Sequence, residues 1–243
     1  MKYLLLIILM NSQCSYAQIN LDNGLLAHYP FNGNADDTSG NNNHGAGSNV
    51  SLTTDRFENT NSAFEFNGTN SFITIPNSAT LSSPTNELSQ VAWINAISWS
   101  LVGSTSFAPI LMKSNSSANA FQYRMLVSSN GMSMAINNWN NSTGGSVPVS
   151  FNEWHLLVTT LNNGTVKSYF NGILIGTSSL TGTIIQDTRP LEIGRDVPGS
   201  TEIFNGKIDD VRVYNRELNK YEIWELYNPN DIIFADEFEQ TTE

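Results

Sequence analysis

The chain contains a single cysteine, Cys14, among its 243 residues. Cys14 lies in an N-terminal segment, residues 1–17, that has the form of a secretory signal peptide: a positive charge, a short apolar core, and the small residues Ser15 and Ala17 before the expected cleavage point. Without this segment no cysteine remains, which excludes a disulfide framework and thiol chemistry. We therefore expect a secreted protein, extracellular or periplasmic, that is stabilised by its core.

Positive charge is scarce as well. The chain has 11 lysine and arginine residues against 22 aspartate and glutamate residues, for a formal net charge of −11. A surface of this sign repels nucleic acid and anionic lipid, so we expect no nucleic-acid partner. Beyond the N-terminal segment no apolar run is long enough to span a bilayer, so no membrane span is predicted either.

The motifs of several common enzyme classes are missing. The chain has no G-x-S-x-G elbow, no Walker loop, no H-E-x-x-H helix, and no E-x-D-x-x-E strand of the kind that supplies paired carboxylates to one group of glycan hydrolases. A lyase of this kind would need a cluster of tyrosine, histidine and arginine. Tyr123, Arg124 and His155 are candidates, but their spacing in the sequence does not require them to lie together. We predict that the chain is not an enzyme, with a glycan hydrolase or lyase as the remaining alternative.

Short segments of alternating apolar and polar residues make up most of the chain, and Gly, Asn and Ser separate them. The clearest stretch is residues 154–176, in which Asn163-Gly164 and Asn171-Gly172 each predict a tight turn, because Asn and Gly accept the positive φ of a type I′ turn. About a dozen such strands with regularly spaced turns indicate an all-β fold, a two-sheet antiparallel sandwich.

Only one segment has helical spacing, and it lies near the C-terminus. Asn219 can cap it, and Glu222 three residues later completes an approximate capping box. No linker divides the chain. We expect a signal peptide at 1–17, one domain over residues 18–228, and an acidic tail at 229–243.

The loop "FNGNADDTSGNNNHG", residues 31–45, is rich in side-chain oxygens and has no lysine or arginine. Calcium takes six to eight oxygen ligands from carboxylates, amides and carbonyls, and Asp36, Asp37 and Asn41 are candidates. The glycine and the final glutamate of an EF-hand are absent from their required positions, so a site here must be completed from elsewhere. The alternative is a solvated cluster of turns.

The best source of further ligands is the predicted strand "KIDDVRVY". Asp209 and Asp210 lie inside it, although aspartate has poor strand propensity, and a buried carboxylate is costly unless it is paired or bound to a metal. Two alternatives to a metal stay open for Asp210. It could pair with Arg212 or Arg216, or it could accept backbone N–H bonds.

Three stretches together resemble a known family. They are "GLLAHYPFNGNADDTSGNNNHG" at 24–45, the hairpin at 154–176, and "FNGKIDDVRVYNRELNKYEIWELY" at 204–227. In this order they resemble the laminin G-like group of concanavalin A-like jelly rolls, in the form common in bacterial secreted proteins. The resemblance implies two curved antiparallel sheets, packed face to face, with the N- and C-terminal strands close in space.

The family resemblance also bears on the metal. In the resembling family, an aspartate of the loop and an aspartate of the last strand frequently share one calcium ion, and Asp37 and Asp210 match these positions. The resemblance implies no particular ligand, because this fold serves lectins, adhesion modules and some glycan-cleaving enzymes.

Two tryptophans lie in polar, turn-like surroundings. Trp139 is flanked by Asn138 and Asn140, whose amides could bond sugar hydroxyls, and Trp99 follows a predicted strand. The alternative for both is an amphipathic tryptophan that covers a sheet edge. We predict a calcium-stabilised binding module for carbohydrate or another cell-surface polymer, and the alternative is an adhesion or assembly module whose partner is protein.

Overall fold

The computed structural model describes residues 19–99, 107–114, 121–138, 140–186, 188–196 and 202–229. The predicted signal peptide and residues 230–243 of the predicted tail lie outside these ranges. Within them, no helix has both the length and the apolar character needed to cross a bilayer.

Eight of the described strands form sheet A, in which every pair is antiparallel. In spatial order they are β13 (Ile173–Ser179), β12 (Thr165–Phe170), β11 (His155–Asn162), β6 (Glu87–Ser98), β15 (Asn205–Tyr214), β4 (Ala63–Asn67) and β3 (Ser51–Thr53), with β1 (Leu25–Tyr29) paired to β15.

Seven described strands form sheet B, which is also antiparallel. In spatial order they are β10 (Ser142–Ser146), β9 (Gly131–Asn137), β8 (Phe121–Ser128), β7 (Phe107–Ser114), β14 (Leu191–Ile193), β5 (Phe72–Ile75) and β2 (Ala46–Ser48). The predicted two-sheet jelly roll is confirmed. The N-terminal strand β1 lies beside the last strand β15, as the resemblance implied.

The main core lies between the two sheets and is built from alternate residues of their strands. Its largest buried side chains are aromatic, and they come from both sheets and from the connecting segments: Tyr29, Phe31, Phe66, Tyr123 and Phe204. The predicted turns are present, since Asn163, Gly164, Asn171 and Gly172 all have positive φ. These turns join β11 to β12 and β12 to β13, which fixes the register of three neighbouring strands.

A C-terminal helix, α2 (Lys220–Tyr227), covers the outer face of sheet A. Asn219 accepts hydrogen bonds at the helix start, and Glu222 completes the predicted capping box. Ile223 and Leu226 are buried against the sheet, and each stabilises the packing by about 1.5–3 kcal/mol. A four-residue helix, α1 (Ala79–Ser82), was not predicted, because one turn is too short to show helical spacing.

Strand β15 changes its neighbour in the middle, and an irregularity marks the change. Its first half, residues 205–208, pairs with β4, and its second half, residues 211–214, pairs with β1. Asp210 lies between them with φ of 47°, and the register against β6 shifts there. Aspartate tolerates this left-handed conformation better than most residues, which accounts for an aspartate inside the strand.

Buried ion pairs hold this junction together. The Nη1 of Arg56, from the loop between β3 and β4, donates to Asp209 Oδ2 at 2.8 Å. Asp210 Oδ1 accepts from Arg212 Nε at 2.9 Å and from His28 Nε2 at 2.7 Å. The pairing of Asp210 with Arg212 is one of the alternatives that the sequence left open. The network ties β1, β15 and the β3–β4 loop to one point.

The two adjacent aspartates have opposite pKa shifts. Burial raises the pKa of Asp209 to about 7, helped by the charge of Asp210 and opposed by Arg56. Burial would also raise the pKa of Asp210, but the hydrogen bond from His28 and the charge of Arg212 outweigh it and hold this pKa well below its usual range. One carboxylate therefore stays ionised while its neighbour binds a proton readily.

The raised pKa of Asp209 predicts how stability depends on pH. An unfolded aspartate releases its proton near pH 4, so the stabilisation from the proton on Asp209 is complete below that pH and is lost as the pH rises through about 7. We expect Tm to fall from pH 5 to pH 8, and to fall less in Asp209→Asn, because an amide does not titrate. Thermal melts at each pH measure this difference, and parallel curves for the two proteins would contradict it.

Candidate functional site

The carboxylate of Asp37, the first predicted calcium ligand, is buried and surrounded by hydrogen-bond donors. Its Oδ1 accepts from the backbone N–H groups of His28 and Ser39, each at 2.9 Å. Its Oδ2 accepts from the Ser39 hydroxyl and from the backbone N–H of Asn43, also at 2.9 Å. Asp37 therefore closes its own loop onto strand β1.

The neighbouring predicted ligands make different contacts. Asn41 turns its amide nitrogen inward and donates to the carbonyls of Leu25 and Leu26, at 3.0 and 3.1 Å. Asp36 is exposed and accepts from Asn34 Nδ2 at 2.8 Å. The loop is an ordered part of the fold, and its amides act mainly as donors to the backbone of β1.

Asp37 and Asp210 both contact His28, but through different groups. Asp37 accepts from the backbone N–H of His28, whereas Asp210 accepts from the imidazole. In the part of the chain that the structure describes, no group of three or more acidic, histidine or cysteine side chains has the arrangement of a metal site. The described arrangement does not fit a shared ion, because donors and guanidinium groups already face these oxygens. The calcium site that the sequence predicted at Asp36, Asp37, Asn41, Asp209 and Asp210 is therefore left to a chelation experiment.

The predicted sugar-binding residues lie in two places. Trp139 is outside the described residues, and Asn138 and Asn140 are exposed on the turn between β9 and β10. Asn138 Oδ1 accepts from the backbone N–H of Asn140 at 3.0 Å, so its carbonyl oxygen shapes the turn. Asn141 fastens the same turn to the backbone of Thr181 through two hydrogen bonds, at 2.8 and 3.1 Å.

Trp99 lies at the opposite end of the sandwich from this turn. Asn141 of the turn is hydrogen-bonded to the carbonyl of Thr181. Three residues further along the chain, the backbone N–H of Ile184 donates to the carbonyl of Thr85, which lies just before β6. The turn is therefore near the first residue of β6. Trp99 follows the last residue of β6, which has 12 residues and so spans about 40 Å. Trp99 and the two asparagines Asn138 and Asn140 therefore do not form one site.

The surroundings of Trp99 are apolar. Its ring is half-buried, packs on the core, and lies 4.8 Å from the ring of Phe151. Ile97 and Phe151 are exposed beside it. Trp99 follows an interior strand of sheet A, so its position is not that of a tryptophan on a sheet edge, and its sugar-binding role stays a prediction.

The residues that a lyase would need do not converge. Tyr123 points into the core and donates its hydroxyl hydrogen to the carbonyl of Leu81, so the next residue, Arg124, lies on the other face of sheet B. His155 belongs to sheet A, where its Nε2 lies 2.9 Å from the hydroxyl of Ser150.

A buried polar cluster lies on the outer face of sheet B, and sequence reasoning did not find it. Antiparallel register aligns residues of six strands across this face: Thr74, Glu192, Met112, Arg124, Ala135 and Ser142. Glu192 is 0% exposed and Arg124 is 3% exposed. Two charged residues are thus buried on the side of the sheet that faces away from the core.

Glu192 lies at the centre of this cluster. Its Oε2 accepts from Arg195 Nη2 at 2.9 Å and from the hydroxyl of Thr74 at 3.0 Å. The guanidinium of Arg195 lies 3.3 Å from the ring centroid of Phe72. Burial raises the pKa of Glu192, and the charge of Arg195 opposes this shift.

Asp196 is the second buried carboxylate of the cluster. Burial raises its pKa to about 6, with Arg124 opposing and Glu202 adding to the shift. Its Oδ1, like Glu192 Oε1 and Arg195 Nε, is shielded from solvent and has no hydrogen-bond partner among the described residues. Buried polar atoms normally have a partner, so these three atoms mark a place where a ligand or water can bind.

A cavity of about 190 Å³ lies on the same sheet. Leu126 and Ser133, which line it, pair across β8 and β9 on the face that carries Arg124. The cluster could have been suspected from the alternation around Glu192, since Leu191 and Ile193 point inward. The proximity of Glu192 to Arg124 could not be predicted, because their strands, β14 and β8, are far apart in the sequence. They come together only because both pair with β7 in the folded sheet.

The chain is similar to known proteins both in sequence and in fold. The family model described as concanavalin A-like lectin/glucanases superfamily matches residues 67–224. Domain 4 of AbnA, an extracellular arabinanase from Geobacillus stearothermophilus solved in complex with arabinotriose, is 18% identical with a TM-score of 0.67; the alignment covers 84% of this chain and 98% of that one.

Two further proteins match over a smaller share of their length. A botulinum neurotoxin type C structure, whose cell entry depends on two ganglioside molecules, is 19% identical with a TM-score of 0.66, over 87% of this chain and 52% of that one. Adhesion G-protein coupled receptor V1 of Danio rerio is 35% identical over 78 residues, which are 31% of this chain and 1% of the receptor. The likeness to the solved structures concerns the fold.

Chelation tests the predicted calcium site. A cation held only by the folded state adds roughly 2.7 kcal/mol at about 100 times its Kd, which would raise Tm by several degrees. Because the cation would have to displace the donors around Asp37 and Asp210, we expect the same Tm in EDTA and in calcium chloride. A calcium-dependent rise in Tm that disappears in Asp37→Ala and in Asp210→Ala would establish the site instead.

Proposed function

Because the chain belongs to the concanavalin A-like lectin/glucanases superfamily, we propose that it is a secreted carbohydrate-binding module whose ligand lies on the outer face of sheet B. The observation that carries this proposal is the set of buried polar atoms of Glu192, Arg195 and Asp196 that have no hydrogen-bond partner among the described residues. A sugar presents several hydroxyl groups at once, and each can donate and accept hydrogen bonds.

The chemistry of the cluster suits a hydroxyl-rich ligand. Glu192 Oε1 and Asp196 Oδ1 accept hydrogen bonds, and Arg195 Nε donates one. The ion pair of Glu192 with Arg195 fixes both side chains, so that little side-chain entropy is lost on binding.

The similar proteins support the same ligand class. Domain 4 of AbnA was solved with arabinotriose, and the toxin's cell entry depends on gangliosides. Because the alignment covers almost the whole arabinanase domain, arabinotriose is a reasonable first probe. The sequence predicted a carbohydrate or cell-surface polymer as the ligand, and the proposal moves its site from Trp139, Asn138, Asn140 and Trp99 to sheet B.

A glycan hydrolase is the second candidate function. Burial raises the pKa of both Glu192 and Asp196, and glycoside hydrolysis uses two nearby carboxyl groups, of which one is a protonated general acid. Release of reducing ends from a bound polysaccharide distinguishes this candidate from a binding module. Turnover that is lost in Glu192→Gln would assign it as an enzyme.

A binding assay with Glu192→Gln tests the proposed site. The substitution keeps the shape of the side chain and removes its charge, and a hydrogen bond to a charged group contributes about 1.5–3 kcal/mol. We expect the affinity for arabinotriose, or for the best ligand in a glycan array, to fall about tenfold or more. Calorimetric titration measures the change.

The matched control is Glu65→Gln on β4, where the glutamate is exposed and belongs to the other sheet. This variant should bind as the unmodified protein does, and thermal melts of both variants should show that they remain folded. Two results would overturn the proposal: no glycan bound by the unmodified protein, or equal affinity in the unmodified protein and the folded Glu192→Gln variant.

A further inference from the structure

We propose that the ligand of sheet B is an extended chain of sugar units rather than a single terminal sugar, and that one further unit of this chain occupies the cavity beside the β8–β9 turn. This inference rests on the proposed function, because it concerns the same ligand on the same face. It adds a second binding place, which we call the turn cavity, to the polar cluster around Glu192. The residues that line the turn cavity include Phe107, Leu126, Ser128, Asn130 and Ser133.

The turn cavity and the polar cluster are separate places on one face of sheet B. From Arg124 to Leu126, β8 pairs with β9 without interruption, so Leu126 is the next residue of β8 after Arg124 that points outward. It lies about 7 Å further along the strand, and Ser128 lies about 14 Å along it. Glu192 is aligned with Arg124 across β7, two strand spacings or about 10 Å away. A ligand that contacts Glu192 and enters the turn cavity must therefore be longer than one sugar ring.

The size of the turn cavity limits what can enter it. Its volume is about 190 Å³, whereas pockets that hold a whole drug-sized ligand measure roughly 300–1,000 Å³. One ring of a sugar chain suits a space of this size, and an oligosaccharide does not. The rest of the chain must then lie on the surface of the sheet, where the adjoining outward-facing residue of β8 is Arg124.

The lining of the turn cavity suits the two kinds of surface that a sugar ring has. Phe107 is half-buried and contributes an aromatic ring, and Leu126 contributes an apolar side chain that is not part of the main core. Asn130, which is exposed, and Ser133, which is half-buried, bring an amide and a hydroxyl to the same cavity. The C–H groups of a sugar pack on apolar side chains, and its hydroxyl groups exchange hydrogen bonds with amides and hydroxyls.

A series of arabino-oligosaccharides of increasing length tests this inference. Affinity for the unmodified protein should rise with length, since only the longer ligands contact both the polar cluster and the turn cavity. Phe107→Ala removes the aromatic ring, and about 40 Å² of buried apolar surface corresponds to about fivefold in affinity. Calorimetric titration should therefore show about fivefold weaker binding of the longest ligand to the variant, and equal binding of the shortest ligand that binds measurably.

A second variant and a matched control accompany this experiment. Ser133→Leu places a larger side chain on the outer face beside Leu126 and fills the turn cavity, so it should also remove the gain in affinity with length. The control is Phe57→Ala, because Phe57 is an exposed phenylalanine in the loop between β3 and β4 of sheet A. It should bind every ligand as the unmodified protein does, and thermal melts should show that all three variants are folded.

The possible results separate this inference from the proposed function. Affinity that does not depend on ligand length, or unchanged binding of the longest ligand in both folded cavity variants, would overturn the inference. The polar cluster would then still be the binding site if Glu192→Gln weakens binding. No glycan bound by the unmodified protein would instead overturn the proposed function, and this inference with it.

Discussion

The junction at Asp209-Asp210 is the constraint on which the rest of the sandwich depends. Strand β15 is the only described strand that pairs with β6, β4 and β1, and it can serve all three only by an irregularity in its middle. That irregularity buries two adjacent carboxylates, which is costly unless cations meet them. Arg56 and Arg212 provide those cations from two parts of the chain, and His28 adds a hydrogen bond to Asp210.

The same junction explains why the acidic loop is ordered. His28 donates its backbone N–H to Asp37 and its imidazole N–H to Asp210, so the loop and the irregular strand are joined through one residue of β1. The outer face of sheet A is also covered by α2, so this sheet has a structural role on both faces. Glu192, Arg195 and Asp196 belong instead to sheet B and its adjoining loop.

Sequence reasoning predicted the features that depend on neighbouring residues. The Asn-Gly turns, the capping box of Asn219 and Glu222, and the alternating strands follow from local conformational preference, and the ordered motifs led to the correct fold. The contacts of Asp209 could not be predicted, because Arg56 lies 153 residues away in the chain. Trp99 and Asn138 were grouped by chemistry, whereas the length of β6 keeps them apart. The cluster of Glu192 combines residues from several strands and an adjoining loop of sheet B, and only the strand order brings them together.

The central claim is that the ligand binds the outer face of sheet B, and an amide-resolved NMR titration with arabinotriose, or with the best ligand from a glycan array, tests it most directly. The account predicts saturable chemical-shift changes centred on the backbone amides of Arg124 in β8, Glu192 in β14 and Arg195 in the loop that follows β14. Changes confined to the turn of Asn138 and Asn140, or to the end of the sandwich at Trp99, would contradict it and would restore the site that sequence chemistry alone had suggested.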